Sequence, residues 1–293
     1  MLLKHFIQRF GPERCVGRLF ENLLFSLDQA SIAPKRVILQ TGGKNYGVHQ
    51  GFVNVPLKES DPRVELEPNF YYRQEDILSK YVRAHPKTSY NVVMPQWILG
   101  AVAGTDMTIF YPLAVYVAVL RKLNKPLLFP GDLLSWDNPQ PISTGILNST
   151  FYEWLVLSPH TAGETFNITN GGEFTWSRFW PILASWYGLE WQPPSESAHY
   201  HEIDTGLRPR GYEHFVLSSG HCYWLTGYNS YGPTGKLRSS FSIVEWAREP
   251  ATQEAWVQLS KEHGLQANPF GDPEKTFNFL QFCFSLTWSW YTR

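Results

Sequence analysis

The chain has 293 residues, 43% of them hydrophobic and 16% aromatic, enough to bury a substantial core in one large domain or two small ones. Its 25 basic and 26 acidic residues nearly cancel, and no basic run interleaves with aromatics, so the footprint of a nucleic-acid-binding protein is absent. Cys15, Cys222 and Cys283 are far apart and without metal-ligand spacing, which argues against a disulfide framework and for a reducing, cytoplasmic compartment. The start "MLLKHFIQRF" lacks the features of a secretory signal. The longest apolar run, at 109–120, is too short to span a bilayer, so no membrane partner is expected.

In chain order, Val16, Leu19, Phe20, Leu23, Leu24 and Leu27 share one helical face and predict an amphipathic helix over 16–28. "RVILQ" (36–40) is apolar on both faces and bounded by Pro34, Gly42 and Gly43, which reads as a short buried strand of the parallel kind. Residues 48–68 mix prolines with charges and read as a surface loop. Asn69 can cap a helix starting at Phe70 or Tyr71, with Ile77, Leu78 and Tyr81 on its apolar face. "YNVVMPQWILG" (90–100) reads as a second apolar strand ending at Gly100. Residues 36–100 thus spell a strand, loop, helix and strand, the βαβ crossover of a parallel sheet. In such sheets ligands bind beyond the carboxyl ends of the strands, where Lys44 and the segment 98–107 fall.

Helices then dominate: 108–123, 143–158, 176–187 ending at Gly188, and 250–263 ending at Gly264, with a strand and turn expected within 165–176. Pro181 makes the regularity of the third helix doubtful. The stripe Trp176, Phe179, Trp180, Leu183 and Tyr187 suits either an apolar ligand pocket or plain core. Residues 213–230, "EHFVLSSGHCYWLTGYNS", have neither period nor cap.

Two residues stand out for chemistry. Lys44 follows the end of a buried strand, and Tyr71 opens the crossover helix. The helix dipole and a nearby ammonium would both favour phenolate there, an expectation of a lowered pKa. Spacing alone leaves Tyr71 open between packing and acid–base work. "HYH" (199–201) lacks companions at metal spacing, so no metal is expected. No G-x-S-x-G elbow occurs.

The pieces "LQTGGKNYG", "NFYYRQEDIL", "PQWILGAV", "FYPLAVYVAV", "LLFPGDLLSWD", "ETFNITNGGEFTWSRFWPILASWYGL", "EWA" and "EHGLQANPFGD" run in order from about residue 18 to about 285. Together they resemble the progesterone 5β-reductase and iridoid synthase-like branch of the extended short-chain dehydrogenases, of fungal type. The resemblance implies an α/β, incomplete NAD(P)-binding Rossmann-like fold over 1–107 and a mainly helical substrate-binding region over 108–293. It implies that Lys44 and Tyr71 are catalytic, and that Gln40, Lys44, Tyr71, Ile98, Thr105, Asp106 and Met107 contact the cofactor, NADP or else NAD. The family's usual Arg-Pro at the second strand is Met94-Pro95 here.

What the resemblance implies is an NAD(P)H-dependent oxidoreductase, an enone or enal reductase of fungal secondary metabolism. Its partners would be a small apolar metabolite and at most a second copy of the chain in a homodimer. Members open with a glycine fingerprint and several βα units and extend further at the carboxyl end, so the chain is expected to be truncated at both ends. Neither G-x-x-G-x-x-G nor G-x-G-x-x-G occurs in it. Removing 212–230 restores the family's run, so this stretch is expected to be a non-native insert such as a retained in-frame intron, or else a surface loop. The alternative function is a cofactor-independent cyclase or isomerase, or a small-molecule-binding pseudoenzyme.

Overall fold

The computed structural model describes residues 2–48, 56–65, 68–100, 107–195, 197–204 and 236–284. The segment 212–230 lies outside them. The elements in chain order are α1 (Leu2–Gln29), β1 (Arg36–Gln40), α2 (Phe70–Ala84), β2 (Ser89–Pro95), β3 (Trp97–Leu99), α3 (Phe110–Lys122), β4 (Leu127–Leu128) and α4 (Leu133–Asp137). There follow β5 (Gln140–Thr144), α5 (Gly145–Leu157), β6 (Thr165–Ile168), β7 (Glu173–Phe174), α6 (Trp176–Tyr187), β8 (Trp191–Gln192), β9 (His201–Asp204) and β10 (Lys236–Ser239). The last three are α7 (Ile243–Arg248), α8 (Pro250–His263) and α9 (Pro273–Phe284). No helix among the described residues is long and apolar enough to cross a membrane.

The sheet that positions the site has the order β1-β2-β6, all parallel. The pairing runs from Arg36 opposite Ser89 to Gln40 opposite Val93, and Thr41 N–H extends it by donating to Val93 C=O at 2.8 Å. Arg36 locks the amino end of this pair. Its guanidinium donates to Ser89 Oγ (2.7 Å), Asn91 Oδ1 (2.6 Å), Leu155 C=O (2.8 Å) and Thr161 Oγ1 (2.9 Å). These neutral acceptors satisfy a charged donor without a carboxylate and tie both strands to α5.

The single strand expected over 90–100 is two. Pro95 has no N–H and ends β2, Gln96 N–H donates to Ile168 C=O at 3.1 Å, and the chain then enters a different sheet. There β3 runs parallel to β5, and β5 pairs antiparallel with β7. The strand expected within 165–176 also divides, into β6 in the first sheet and β7 in the second.

Helix α1 begins well before the expected residue 16. Leu24 is buried, whereas Leu19 is 67% and Leu23 55% exposed, so the predicted apolar stripe is covered on one side only. It packs on α2 across Gly17, where a side chain would meet Arg73 at 2.3 Å. Helix α2 buries Tyr72, Leu78 and Tyr81, and Met94 sits in a small core cluster with Tyr46, Val48 and Leu57.

The larger core lies among the helices. Trp180 is fully buried and stands near Phe129, Trp136, Trp176 and Phe284, with ring centroids 5.2 to 6.4 Å away. Its indole N–H donates to Leu127 C=O at 3.2 Å. Trp176, Trp180 and Leu183 are therefore core, whereas Phe179 is partly buried against it and Tyr187 lines a cavity of 530 Å³ with Trp256 and Leu259. Helix α6 continues through Pro181 to Gly188, whose left-handed conformation (φ 61°) ends it.

Trp180→Ala is expected to cost about 3–5 kcal/mol through the cavity it leaves. Trp180→Phe should cost less, because an aromatic ring still fills the site. Urea unfolding followed by circular dichroism measures both, and an alanine variant within about 1 kcal/mol of wild type would contradict this packing account.

Candidate active site

The carboxyl ends of β1 and β2 meet at Gly42. A methyl group at that position would stand 3.5 Å from the Tyr71 hydroxyl oxygen and 3.6 Å from the Pro95 carbonyl oxygen. Gly42 has extended backbone (φ 168°), so its lack of a side chain serves space and not backbone strain. The chain then makes one 3-10 turn, Gly43–Tyr46, which carries Lys44 and ends at Gly47 in the left-handed region (φ 71°). Sequence reading placed Lys44 and Tyr71 near one another through the crossover. The structure brings the tyrosine hydroxyl against the glycine two residues before the lysine.

The Lys44 turn is stitched to α2 by three side chains. Asn69 Nδ2 donates to Lys44 C=O at 2.8 Å, and Asn69 Oδ1 accepts from Tyr71 N–H at 3.0 Å. Tyr72 Oη donates to Asn45 C=O at 2.6 Å and accepts from Val64 N–H at 2.8 Å. Asn45 Nδ2 donates to Glu75 Oε1 at 2.8 Å, and Glu75 is held in turn by Arg63 at 2.8 Å. On the other side Tyr46 Oη donates to Asn167 Oδ1 at 2.9 Å, which anchors the turn to β6. Sequence reading found Asn69 as a cap but missed these ties.

Burial raises the Tyr71 pKa above that of an ordinary phenol. This corrects the expected lowering: desolvation penalises the phenolate more than the helix end favours it. Tyr71 is therefore a neutral O–H donor at physiological pH. Lys44 is shifted the other way, below an ordinary lysine, by desolvation. The residue as a whole is exposed, so the desolvation is partial.

Of the remaining predicted residues, Gln40, Ile98 and Met107 are among those described. Gln40, at the end of β1, is exposed, and its Oε1 accepts from Tyr152 Oη at 2.6 Å, with burial pushing the Tyr152 phenol up to about 12. Ile98, in β3, is 42% exposed and Met107 is 70% exposed. Thr105 and Asp106 lie outside the described residues. His199 and His201 face each other with ring centroids 5.0 Å apart, and no cluster of three potential metal ligands occurs among the described residues. Cys283 is buried and its thiol pKa is raised, which suits a packing role. A cavity of 330 Å³ also abuts the Lys44 turn, but Glu59, Asp61, Arg63 and Glu75 line it, a poor match for an apolar metabolite.

Gly42→Ala is expected to fold with stability equal to wild type or greater by up to about 1 kcal/mol, since the methyl meets its neighbours at ordinary contact distance. Urea unfolding checks this. A clear destabilisation would show that the hydroxyl and carbonyl lie closer to Gly42 than described.

Residues 16–208 match the PRISE-like Rossmann-fold domain. An uncharacterized protein of Schizosaccharomyces pombe is 31% identical over 278 residues, covering 93% of this chain and 66% of that protein. The short chain dehydrogenase gsfE of Penicillium aethiopicum is 29% identical over 280 residues, covering 92% of this chain and 64% of that protein. A 3-oxo-Delta(4,5)-steroid 5-beta-reductase of Arabidopsis thaliana is 32% identical over 181 residues, covering 59% and 46% respectively. The chain thus spans between about half and two thirds of the length of these relatives. With a parallel sheet whose strand ends converge on Gly42 and a match over most of its length, the chain belongs to the PRISE-like Rossmann-fold family.

Proposed function

We propose that the chain carries the catalytic end of an NAD(P)H-dependent reductase acting on an activated double bond, an enone or enal of a small apolar metabolite. One observation carries the reading: a neutral tyrosine hydroxyl stands at the joined carboxyl ends of two parallel strands, against a glycine that leaves room beside it. The names of the Penicillium dehydrogenase and the Arabidopsis 5-beta-reductase support the reaction class.

Residues present suit the nicotinamide end of a cofactor. Gly42 keeps a side chain out of the space beside the Tyr71 hydroxyl, and Gln40, Ile98 and Met107 are exposed. No glycine fingerprint for the pyrophosphate occurs in the sequence. When bound, a reduced nicotinamide nucleotide supplies the hydride for the β-carbon of the substrate.

Tyr71 donates a hydrogen bond to the substrate oxygen, where negative charge grows as the double bond is reduced. Its raised pKa keeps the proton available through neutral pH. The family resemblance assigns Lys44 the role of supplying a positive field toward the same oxygen and the nucleotide ribose. Partial desolvation strengthens that field, because the effective dielectric around the ammonium is lower than in bulk water. The helix N-terminus at Tyr71 adds partial positive charge in the same direction.

The alternative is a cofactor-independent isomerase in which Tyr71 acts as proton donor. The two readings separate in one assay. Reductase activity should require NADPH and an enone together, whereas isomerase activity would proceed without nucleotide.

Tyr71→Phe is expected to lower kcat by about 10²–10⁴-fold, the usual worth of a positioned proton donor, with nucleotide affinity retained. Because Lys44 is lowered and Tyr71 raised, the alkaline limb of activity should report Lys44 first, falling below the ordinary lysine value of 10.5. A limb that persists in Lys44→Met would assign it elsewhere. No turnover and no nucleotide binding in the wild-type chain would remove the reductase reading.

A further inference from the structure

We propose that Asn69 is a positioning residue that sets the Lys44 turn against Tyr71, a role beyond helix capping that rests on the reductase reading above.

As a cap, asparagine is one choice among equals: aspartate and serine satisfy an orphan N–H at a helix start about as well. Only one pole of the Asn69 amide is used this way, Oδ1 accepting from Tyr71 N–H at 3.0 Å. The other pole, Nδ2, donates to Lys44 C=O at 2.8 Å. The residue is 6% exposed, so water offers little replacement for either bond. A cap alone does not call for an amide; the second bond does, because aspartate has no donor and the serine side chain is too short to place its O–H where the amide Nδ2 stands.

The bond falls where it matters most. Lys44 C=O accepts from Asn69 and also from Gly47 N–H at 3.1 Å, so both of its acceptor directions are used within the turn. That fixes the peptide following Lys44 and with it the direction in which the lysine side chain leaves the backbone. The same amide fixes the N–H of Tyr71 at the other end. One planar group of a few ångströms therefore couples the backbones of the two proposed catalytic residues. Tyr72 and Asn45 tie the turn to α2 as well, but their bonds land one residue away, on Asn45 C=O and on Glu75.

The test uses Asn69→Ser and Asn69→Asp in the 293-residue chain, both of which retain a cap acceptor and remove the donor to Lys44. Their melting temperatures should stay close to wild type. Hydrogen–deuterium exchange of residues 43–47 should accelerate about tenfold, the worth of one lost hydrogen bond, with the middle of α2 unchanged. In steady-state kinetics kcat should fall about 10- to 100-fold with KM for the nucleotide held, the mark of misplaced groups and not of lost binding.

A purely capping role would leave stability, exchange at 43–47 and kcat near wild type in both variants, because each keeps the cap acceptor. Exchange at 43–47 unchanged in both variants overturns the proposal, as does faster exchange with kcat intact. The exchange measurement needs no turnover, so its result stands apart from the fate of the reductase reading.

Discussion

The parallel register of β1 on β2 is the constraint from which the site follows. Gln40 opposite Val93, extended by the Thr41 bond to Val93, carries the chain to Gly42 beside the end of β2 and nowhere else. A parallel pair cannot close through a tight turn, so a crossover must link the strands, and here that crossover is α2. The start of α2 then has to return to the same edge of the sheet, which brings Tyr71 to Gly42. Arg36 secures the register from the opposite end with its four neutral acceptors, at a position where a one-residue slip would leave a half-buried guanidinium without these partners.

On this frame, the electrostatics divide the labour. Desolvation acts on both groups at the site, and it acts in opposite directions on their pKa values because one is neutral and the other cationic when protonated. Tyr71 keeps its proton, as a donor to a developing oxyanion must. Lys44 is exposed, which limits the cost of holding its charge. On the proposed reading this suits the reductive direction, in which a proton donor is wanted more than a base.

Much of this frame was legible in the residues. The apolar run between Pro34 and Gly42 marked β1, and Asn69 ahead of an apolar period marked the start of α2 at Phe70. The break at Gln96 was not legible, because the apolar run continues on both sides of Pro95 and only the change of partner strand ends β2. The ties from Asn69, Tyr72 and Asn45 were hidden for a related reason: hydrogen bonds between distant residues leave no period in the sequence. Tyr71 was misjudged in the direction of its pKa because a helix-dipole argument carries no information about burial. The stripe on α6 was ambiguous until its neighbours were known, since Trp176 and Trp180 look the same in a core and in a pocket wall. Residues 212–230 stay outside the described structure, and Thr105 and Asp106 with them.

The central claim, that the convergence at Gly42 is a site for reducing an activated double bond with Tyr71 as proton donor, is tested most directly by isotope placement. The chain would be incubated with an enone and NADPH carrying deuterium at the transferable position of the nicotinamide, and the product examined by NMR. The account predicts deuterium at the β-carbon and a solvent-derived proton at the α-carbon. A rearranged product without deuterium, formed equally well in the absence of nucleotide, would contradict it.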